Sequence, residues 1–297
     1  MGTFKSGFIS ILGRPNVGKS TLFNRILGEK IAIVTEKPQT TRNRILGIKN
    51  VEGAQLIFLD TPGLHEGGSE LNKRMVKTAL ATGRDSDVLL FLTEATSPPM
   101  EEDRQMLEHL KLSKGIPFLV INKIDLVKKE TLLPLMDRYQ KLFPFEKIIP
   151  LSALQGDGIE ILINEIIRVL PEAPPYFPED MLTDQTERLI VSEIIREKVI
   201  QHSYQEIPYA TAVTIESFKE LAEKNLVVIQ ATIYVEKESQ KKILIGKGGQ
   251  KLKKIGEWSR KEIEAFLEKR VFLELWVKVE KNWTRNPRVL DSLGYFS

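Results

Sequence analysis

The stretch Gly13-Arg14-Pro15-Asn16-Val17-Gly18-Lys19-Ser20 decides the fold of the first part of the chain. It fits the phosphate-loop pattern G-x-x-x-x-G-K-S, in which backbone N–H groups surround phosphate oxygens, the lysine reaches the β and γ oxygens, and the serine ligates Mg²⁺. An apolar run at 7–12 precedes it and an apolar helical pattern at 20–27 follows. The loop therefore lies between a strand and a helix N-terminus, where an anion is stabilised. By itself this stretch does not indicate whether the ligand is ATP or GTP.

Two aspartate-containing motifs follow predicted strands further along the chain. Asp60-Thr61-Pro62-Gly63 comes directly after the apolar run 54–59, and Asn122-Lys123-Ile124-Asp125 comes directly after 118–121. Doubly wound sheets bind ligands at the carboxyl ends of their strands. We therefore expect the Asp60 carboxylate to hold Mg²⁺, directly or through water, and the Gly63 amide to lie near the γ-phosphate.

The second of these motifs predicts the base. Guanine offers N1–H and a 2-amino group to a carboxylate such as Asp125, whereas adenine has neither donor there and would leave the carboxylate unpaired. Thr40-Thr41 and Ser152-Ala153-Leu154 complete a series of five motifs whose order is that of a guanine-nucleotide site. The sequence therefore favours GTP over ATP, although Asp60 or Asp125 alone could equally be a turn residue.

Length and composition agree with a cytoplasmic protein of two domains. The chain has 297 residues, a formal net charge of +3 and no cysteine, which excludes a disulfide framework and a thiolate metal site. No run approaches the ~20 apolar residues of a membrane span, and the N-terminus lacks an apolar signal region. The histidines are too widely separated to suggest a metal cluster, and only His65, near the Asp60 motif, is a candidate functional residue.

The domain boundary is predicted from a proline-rich segment. An amphipathic helix at 158–170 is followed by Pro171-Glu172-Ala173-Pro174-Pro175-Tyr176-Phe177-Pro178, which cannot continue the helix. Such a segment favours an extended, semi-rigid linker. We therefore expect a first domain at 1–170, a linker at 171–180 and a second domain at 181–297.

The second domain has a helix–strand–strand–helix–helix–strand pattern. Between the two middle helical segments, Gly246-Lys247-Gly248-Gly249 forms a G-x-x-G turn. The flanking elements are a helix at 187–202, strands at 210–215 and 226–235, a helix at 257–270 and a strand at 271–277. This order is that of a KH domain, whose G-x-x-G loop clamps about four single-stranded nucleotides.

Positive charge is concentrated around this turn. Between positions 237 and 261, nine basic residues face two acidic ones, Glu238 and Glu257, which leaves a local charge of +7. A solvated basic face would also explain such a run, but its coincidence with the glycine turn favours RNA binding. The predicted RNA-binding residues are Ile245, Gly246, Lys247, Gly248, Gly249, Lys251, Lys253, Lys254, Arg260 and Lys261.

With these motifs the chain resembles the Era family, bacterial GTPases that carry a C-terminal KH domain. The resemblance spans essentially all 297 residues and also rests on Pro38-Gln39-Thr40-Thr41-Arg42 and Ser292-Leu293-Gly294-Tyr295. It implies an α/β Ras-like P-loop GTPase domain, with a mostly parallel sheet and helices on both faces, joined to an α+β KH domain of type II, αββααβ. It also implies GTP hydrolysis to GDP, binding near the 3′ end of 16S ribosomal RNA during 30S assembly, and peripheral association with the cell membrane in some bacteria.

The resemblance assigns roles at matching positions. Catalytic roles fall to Lys19, Asn16, Thr41 and Gly63, and the Mg²⁺ ligands are Ser20, Thr41 and Asp60. Asn16 is similar to that of potassium-activated relatives, in which a K⁺ ion replaces an arginine finger. The implied nucleotide-binding residues are Gly13, Arg14, Pro15, Asn16, Val17, Gly18, Lys19, Ser20, Thr21, Asp60, Thr61, Pro62, Gly63, Asn122, Lys123, Asp125, Ser152, Ala153 and Leu154.

One position departs from the Ras-type pattern. Leu64 stands where Ras-type enzymes carry the glutamine that orients water. Hydrolysis must therefore position its water otherwise, and we expect slow intrinsic turnover.

The sequence thus predicts a monomeric, GTP-switched RNA-binding assembly factor, cytoplasmic or peripheral on the inner face of the membrane, with nucleotide state coupled to RNA access. Two alternatives remain open. The protein could be an RNA chaperone or scaffold in which bound GTP is structural, or a membrane or signalling GTPase with a degenerate KH domain. Equal RNA affinity of the GTP and GDP forms would favour the first alternative, and failure to bind any RNA would favour the second.

Overall fold

The computed structural model describes residues 3–35, 37, 40–63, 69–84, 86–111, 113–204 and 206–295. Four residues named in the sequence predictions, Pro38, Gln39, Leu64 and His65, lie outside the described residues. Within those ranges, no helix has the length and apolar character needed to cross a membrane.

In the described part of the chain, the N-terminal half is built on a six-stranded sheet. The strands run across the sheet in the order β2-β3-β1-β4-β5-β6, and neighbours are parallel except for β2 and β3. In chain order they are β1 (Lys5–Gly13), β2 (Ile45–Val51), β3 (Ala54–Asp60), β4 (Val88–Glu94), β5 (Ile116–Asn122) and β6 (Lys147–Pro150). The helices between and after them are α1 (Lys19–Leu27), α2 (Glu70–Arg84), α3 (Glu101–Leu110), α4 (Leu132–Leu142) and α5 (Ile159–Val169).

Burial on both faces explains why these strands are apolar throughout. All seven residues of β3 are buried, and β4 is buried up to its last residue. One face packs with α1 and α5, and the other packs with α3 and α4. This arrangement is typical of doubly wound folds, and it confirms the predicted mostly parallel sheet. β1, β3 and β5 end at one edge on Gly13, Asp60 and Asn122, so the sheet brings three predicted motifs together.

The C-terminal half has the predicted αββααβ order. Its described strands form a three-stranded sheet β7-β8-β9, in which β7 is antiparallel and β9 parallel to β8. The elements are α6 (Glu187–Gln201), β7 (Ala212–Leu221), β8 (Leu226–Val235), α7 (Glu238–Ile245), α8 (Gln250–Leu267), β9 (Arg270–Val279) and α9 (Pro287–Ser292). The KH order is thereby confirmed.

Two boundaries in this half differ from the predictions. The helix predicted at 257–270 begins at Gln250, directly after the glycine turn, and ends at Leu267 because Glu268 has a left-handed φ of 53°. The strand predicted at 210–215 runs instead from Ala212 to Leu221, since it continues through an irregularity between Ile215 and Ser217.

The proline-rich segment is fixed to the first sheet rather than free in solvent. The backbone N–H of Ser6 in β1 donates to Pro171 O at 3.2 Å. Further along, the Phe177 N–H donates to Gln55 Oε1 in β3 at 3.0 Å. Hydrogen bonds at both ends of the segment hold it along the sheet, while the domain boundaries at 170 and 181 stay a prediction.

Candidate nucleotide and RNA sites

Glycine shapes the loop between β1 and α1. Gly13 (φ 154°) and Gly18 (φ 100°) have backbone angles that other residues rarely adopt. A Cβ at Gly13 would lie 2.3 Å from Leu92 O, and one at Gly18 would lie 2.3 Å from Asn122 Nδ2. Because neither position accepts a side chain, the loop folds tightly and its amides can approach an anion at the N-terminus of α1.

Lys19 is buried at the first position of α1. Its Nζ donates to Gly13 O at 3.0 Å and to Arg14 O at 2.8 Å. A Cβ built on Gly63 would lie 3.1 Å from the same Nζ. Burial lowers the pKa of Lys19 to about 8, against the opposing charge of Asp60. The loop carbonyls thus hold the ammonium beside the residue whose amide is predicted to face the γ-phosphate.

Three oxygen-bearing side chains converge next to Lys19. Ser20 Oγ lies 2.8 Å from Asp60 Oδ2 and 2.9 Å from Thr41 Oγ1, and Thr41 Oγ1 lies 3.4 Å from Asp60 Oδ2. Asp60 Oδ1 is buried without a hydrogen-bond partner among the described residues. Burial raises the pKa of Asp60 to about 6, while Lys19 and the two hydroxyl groups act in the opposite direction. A carboxylate and two hydroxyl oxygens are hard ligands of the kind that Mg²⁺ prefers, so this group fits the ion.

Asn122 joins the loops of the candidate base site. Its Nδ2 donates to Val17 O at 2.8 Å, and its Oδ1 accepts from the Ala153 N–H at 2.9 Å. Lys123, in the left-handed region at φ 62°, forms an ion pair with Glu94 at 2.5 Å and borders the cavity. Asp125 follows in a short helical turn and is exposed to solvent. The structure therefore shows Asn122 fixing the phosphate loop to the Ala153 segment, and its predicted contact with guanine stays a prediction.

Arg14 lies apart from the other predicted nucleotide-binding side chains. Its guanidinium donates to Asp103 Oδ1 at 2.9 Å and to Ser97 Oγ at 3.2 Å, both on the α3 side of the sheet. Only the Arg14 backbone can therefore contribute to the site, because α3 engages the charged group. Thr61 is similar, since its buried hydroxyl donates to Ile11 O at 2.8 Å. Leu154 is 64% exposed, and its carbonyl accepts from Arg25.

A cavity of about 590 Å³ lies over the phosphate loop. Its volume falls within the range of small-molecule and cofactor sites. The predicted residues around it include Pro15, Asn16, Gly18, Thr21 and Gly63, together with the Lys19–Ser20–Thr41 group. Sequence reasoning missed two other sets of lining residues, which are Ile33, Val34, Thr35 and Lys37 before Thr41, and Gln201 at the end of α6. Gln201 carries no motif signal because it comes from the other half of the chain.

The glycine turn of the C-terminal half lies between α7 and α8. Gly246 (φ 71°), Gly248 (φ 58°) and Gly249 (φ 77°) have left-handed backbone angles. A Cβ at Gly246 would lie 2.8 Å from Lys251 Cβ, whereas none of the described atoms lies within 4 Å of a Cβ at Gly248 or Gly249. The turn therefore presents open backbone to a ligand. Around it, exposed basic side chains are Lys247, Lys253, Lys254, Arg260 and Lys261, while Ile245 and Lys251 are half-buried.

Arg42, the residue after Thr41, is bound by the C-terminal half. It is 4% exposed and donates to Thr211 O at 2.7 Å, Tyr209 O at 2.9 Å and Pro208 O at 3.2 Å. Tyr295 Oη accepts a further, longer bond at 3.3 Å. Neighbouring residues of one segment thus face the nucleotide site and the C-terminal half, because the Thr41 hydroxyl lies beside Ser20 and Asp60. The Pro38–Arg42 motif marks the segment, but it does not predict this contact.

Arg74 on α2 contacts the same C-terminal segment. Its Nη1 donates to Asp291 Oδ1 at 2.6 Å and to Tyr295 O at 2.5 Å. Since α2 follows the Asp60–Gly63 motif, the segments after Thr41 and after Gly63 are both tied to the end of the chain. The C-terminal segment therefore contacts residues that follow both nucleotide motifs.

Comparison with known proteins agrees with this architecture. Residues 8–123 match the family model described as 50S ribosome-binding GTPase, and residues 206–284 match the KH domain model. The GTPase Era of Syntrophus aciditrophicus is 56% identical over 292 residues, covering 98% of this chain and 95% of that protein. The GTPase Era of Geotalea uraniireducens is 54% identical over 292 residues, covering 98% of each.

Two solved structures are similar over nearly the whole chain. One is Era in complex with MgGDPNP and nucleotides 1506–1542 of 16S ribosomal RNA, with a TM-score of 0.96, 42% identity, and coverage of 99% of this chain and 100% of that one. The other is a variant of Aquifex aeolicus Era bound to GDP.AlF4⁻, with the same identity, coverage and TM-score. The identity and coverage of these relatives show that the chain belongs to the Era family of GTPases.

Proposed function

We propose that this chain hydrolyses GTP in its N-terminal half and binds the 3′ region of 16S ribosomal RNA through its KH domain, as an assembly factor of the small ribosomal subunit. The observation that carries the nucleotide part is the convergence of Ser20, Thr41 and Asp60 beside Lys19 and the phosphate loop. The RNA part is supported by the open G-x-x-G turn and by similarity to the Era complex with nucleotides 1506–1542.

Hydrolysis in this proposal depends on fixed donors around the transferring phosphoryl group. The Lys19 ammonium and the amides of the loop and of Gly63 stabilise the negative charge of the transition state. Ser20, Thr41 and Asp60 would hold Mg²⁺, which would supply further positive charge to the phosphates. The residue after Gly63 is leucine, whose side chain has no polar atom to orient water, so we expect slow turnover. A K⁺ ion beside Asn16 would take the place of an arginine finger.

Selection of guanine is assigned to the loops at the ends of β5 and β6. The Asp125 carboxylate accepts hydrogen bonds from the N1–H and the 2-amino group of guanine, and the Ala153 segment lies next to guanine O6. Asn122 positions these loops through its bonds to Val17 and Ala153. The same geometry would leave the carboxylate unpaired against adenine.

Crosslinking the purified protein to total bacterial RNA, with GDP or a non-hydrolysable GTP analogue bound, tests the proposal. We expect the sequenced fragments to concentrate near the 3′ end of 16S ribosomal RNA, with different yields in the two nucleotide states. Equal yields would favour the alternative of an RNA chaperone with structural GTP. No enrichment of ribosomal RNA would refute the assembly function. The monomeric state and peripheral membrane contact stay predictions, which light scattering and vesicle sedimentation would check.

A further inference from the structure

A cluster of three aromatic and two basic side chains lies where α6, α8 and the segment before Thr41 meet. We call it the aromatic–basic cluster, and it consists of Lys37, His202, Tyr204, Lys251 and Trp258. The His202 ring stacks on Trp258 with 3.7 Å between centroids and 25° between planes. Lys37 Nζ lies 5.2 Å from the centroid of the Tyr204 ring. Tyr204 remains 75% exposed and Trp258 38% exposed, so both rings are accessible to a ligand.

The cluster begins beside the G-x-x-G turn. Lys251 is the second residue of α8, and its Cβ lies 2.8 Å from the position that a Cβ on Gly246 would take. Trp258 is seven residues further along α8, which places it on the same face of the helix and about 10 Å away. A strand bound at the turn could therefore continue along α8 to Trp258. That distance corresponds to about three nucleotides at the ~3.4 Å rise of a stacked strand.

Within the described residues, the cluster keeps its positive charge. Neither Lys37 nor Lys251 forms an ion pair with any carboxylate in the part of the chain that the structure describes, whereas the neighbouring Lys198 is paired with Glu262. Lys37 Nζ instead donates to the carbonyls of Ile200 and Ser203 at the end of α6. Burial and the charge of Lys251 lower the pKa of Lys37, and burial with the charges of Lys198, Lys251 and Lys37 lowers the pKa of His202. Burial is the larger cause of both shifts, and the neighbouring positive charges add to it.

This combination has the chemistry of a single-stranded nucleic-acid site. Cations along a surface bind phosphates, and exposed rings stack on bases without needing a particular sequence. An acidic protein segment would use the lysines, but its carboxylates would gain little from two exposed rings. The observations therefore favour RNA as the occupant.

We propose that the aromatic–basic cluster is a second RNA subsite, which extends the G-x-x-G site along α8. Lys251 and Lys37 bind phosphate oxygens, and Trp258 stacks on a base that lies beyond the nucleotides at the turn. The proposal rests on the proposed RNA-binding function and defines how far the site reaches. Because Lys37 also lines the nucleotide cavity, RNA in this subsite would contact the segment that precedes Thr41.

Binding of RNA oligonucleotides of decreasing length tests the subsite. The probes are the RNA of nucleotides 1506–1542 of 16S ribosomal RNA and versions trimmed from either end, and the proteins are the parent, Trp258→Ala, Trp258→Phe and Trp276→Ala. Trp276 is the matched control because it is 47% exposed on β9. Trp258→Ala should bind the long RNA about 5- to 150-fold more weakly than Trp276→Ala. The difference should vanish for trimmed RNA that covers only the turn, and Trp258→Phe should retain most of the affinity.

A second measurement does not depend on the alanine variant folding. Ultraviolet crosslinking of the parent protein to the long RNA should label the peptide that contains Trp258, and the trimmed RNA should not label it. Equal affinity of folded Trp258→Ala and Trp276→Ala for the long RNA, with no crosslink at Trp258, would overturn the subsite and leave the face to an acidic protein partner. If the parent binds none of these RNAs, the RNA-binding function itself is refuted.

Discussion

Replacing Arg42 with methionine should loosen the contact between the C-terminal half and the segment that carries Thr41. Methionine has similar length but no donor and no charge, so Thr211, Tyr209 and Pro208 would lose the guanidinium that their carbonyls now share. Hydrogen bonds to a charged group contribute about 1.5–3 kcal/mol each. Arg42 is buried, and relief of its desolvation cost offsets a large part of this sum. We estimate a net loss of about 2–4 kcal/mol, which is roughly a 30- to 1000-fold shift toward the open contact.

Amide hydrogen exchange measures this shift directly, because protection reports the free energy of local opening. Segments 206–212 and 287–295 should exchange faster in Arg42→Met by roughly that factor, while α4, which lies away from the contact, should be unchanged. Arg44→Met is the matched control, since Arg44 is exposed and makes no hydrogen bond or ion pair with another described residue. Equal exchange in the two variants would show that the Arg42 bonds do not hold the halves together.

Three further predictions concern the two candidate sites. Asp125→Asn should weaken GTP binding by roughly 30-fold or more and favour xanthosine triphosphate in competition binding, because the amide donates where the carboxylate accepts. An unchanged preference for GTP would exclude Asp125 from the base site. Replacing Na⁺ by K⁺ at constant ionic strength should raise the rate of GTP hydrolysis. The variant Asn16→Gly should remove that response, and glycine accepts the backbone φ of 65° at this position. Equal rates in both salts would refute a role for the cation in hydrolysis. Changing Lys247 and Gly248 together to aspartate should lower RNA affinity at least about tenfold, while the protein still unfolds cooperatively on heating. Unchanged RNA affinity would contradict the G-x-x-G assignment.

The nucleotide motifs could be placed from sequence because each is local. An apolar run that ends on Gly13, Asp60 or Asn122 predicts both the strand and the residue at its carboxyl end, and parallel packing then brings the three ends together. The glycine turn is predictable for the same reason, since three of its four residues need left-handed angles that glycine allows. These are properties of short stretches, and they do not depend on distant contacts.

Contacts between the halves could not be predicted in this way. Arg42 meets Thr211 across 169 positions, and Arg74 meets Tyr295 across 221. No local period or spacing reports which distant carbonyl an arginine will reach. For Arg14 the local motif was misleading. Its place in the phosphate loop predicted a nucleotide contact, but its side chain binds Asp103 instead.

The position of Arg42 next to Thr41 gives the fold a physical link between the nucleotide site and the C-terminal half. The Thr41 side chain lies against Ser20 and Asp60, and the next side chain along the backbone is enclosed by the C-terminal half. Because Thr41 and Arg42 share a peptide bond, a shift of the backbone at one of them acts on the other. Arg196 strengthens the link, since it lies fully buried on α6 and donates to the carbonyl of Thr40. A rearrangement of the backbone at Thr41 would therefore either carry the KH half with it or strain the bonds at Thr40 and Arg42.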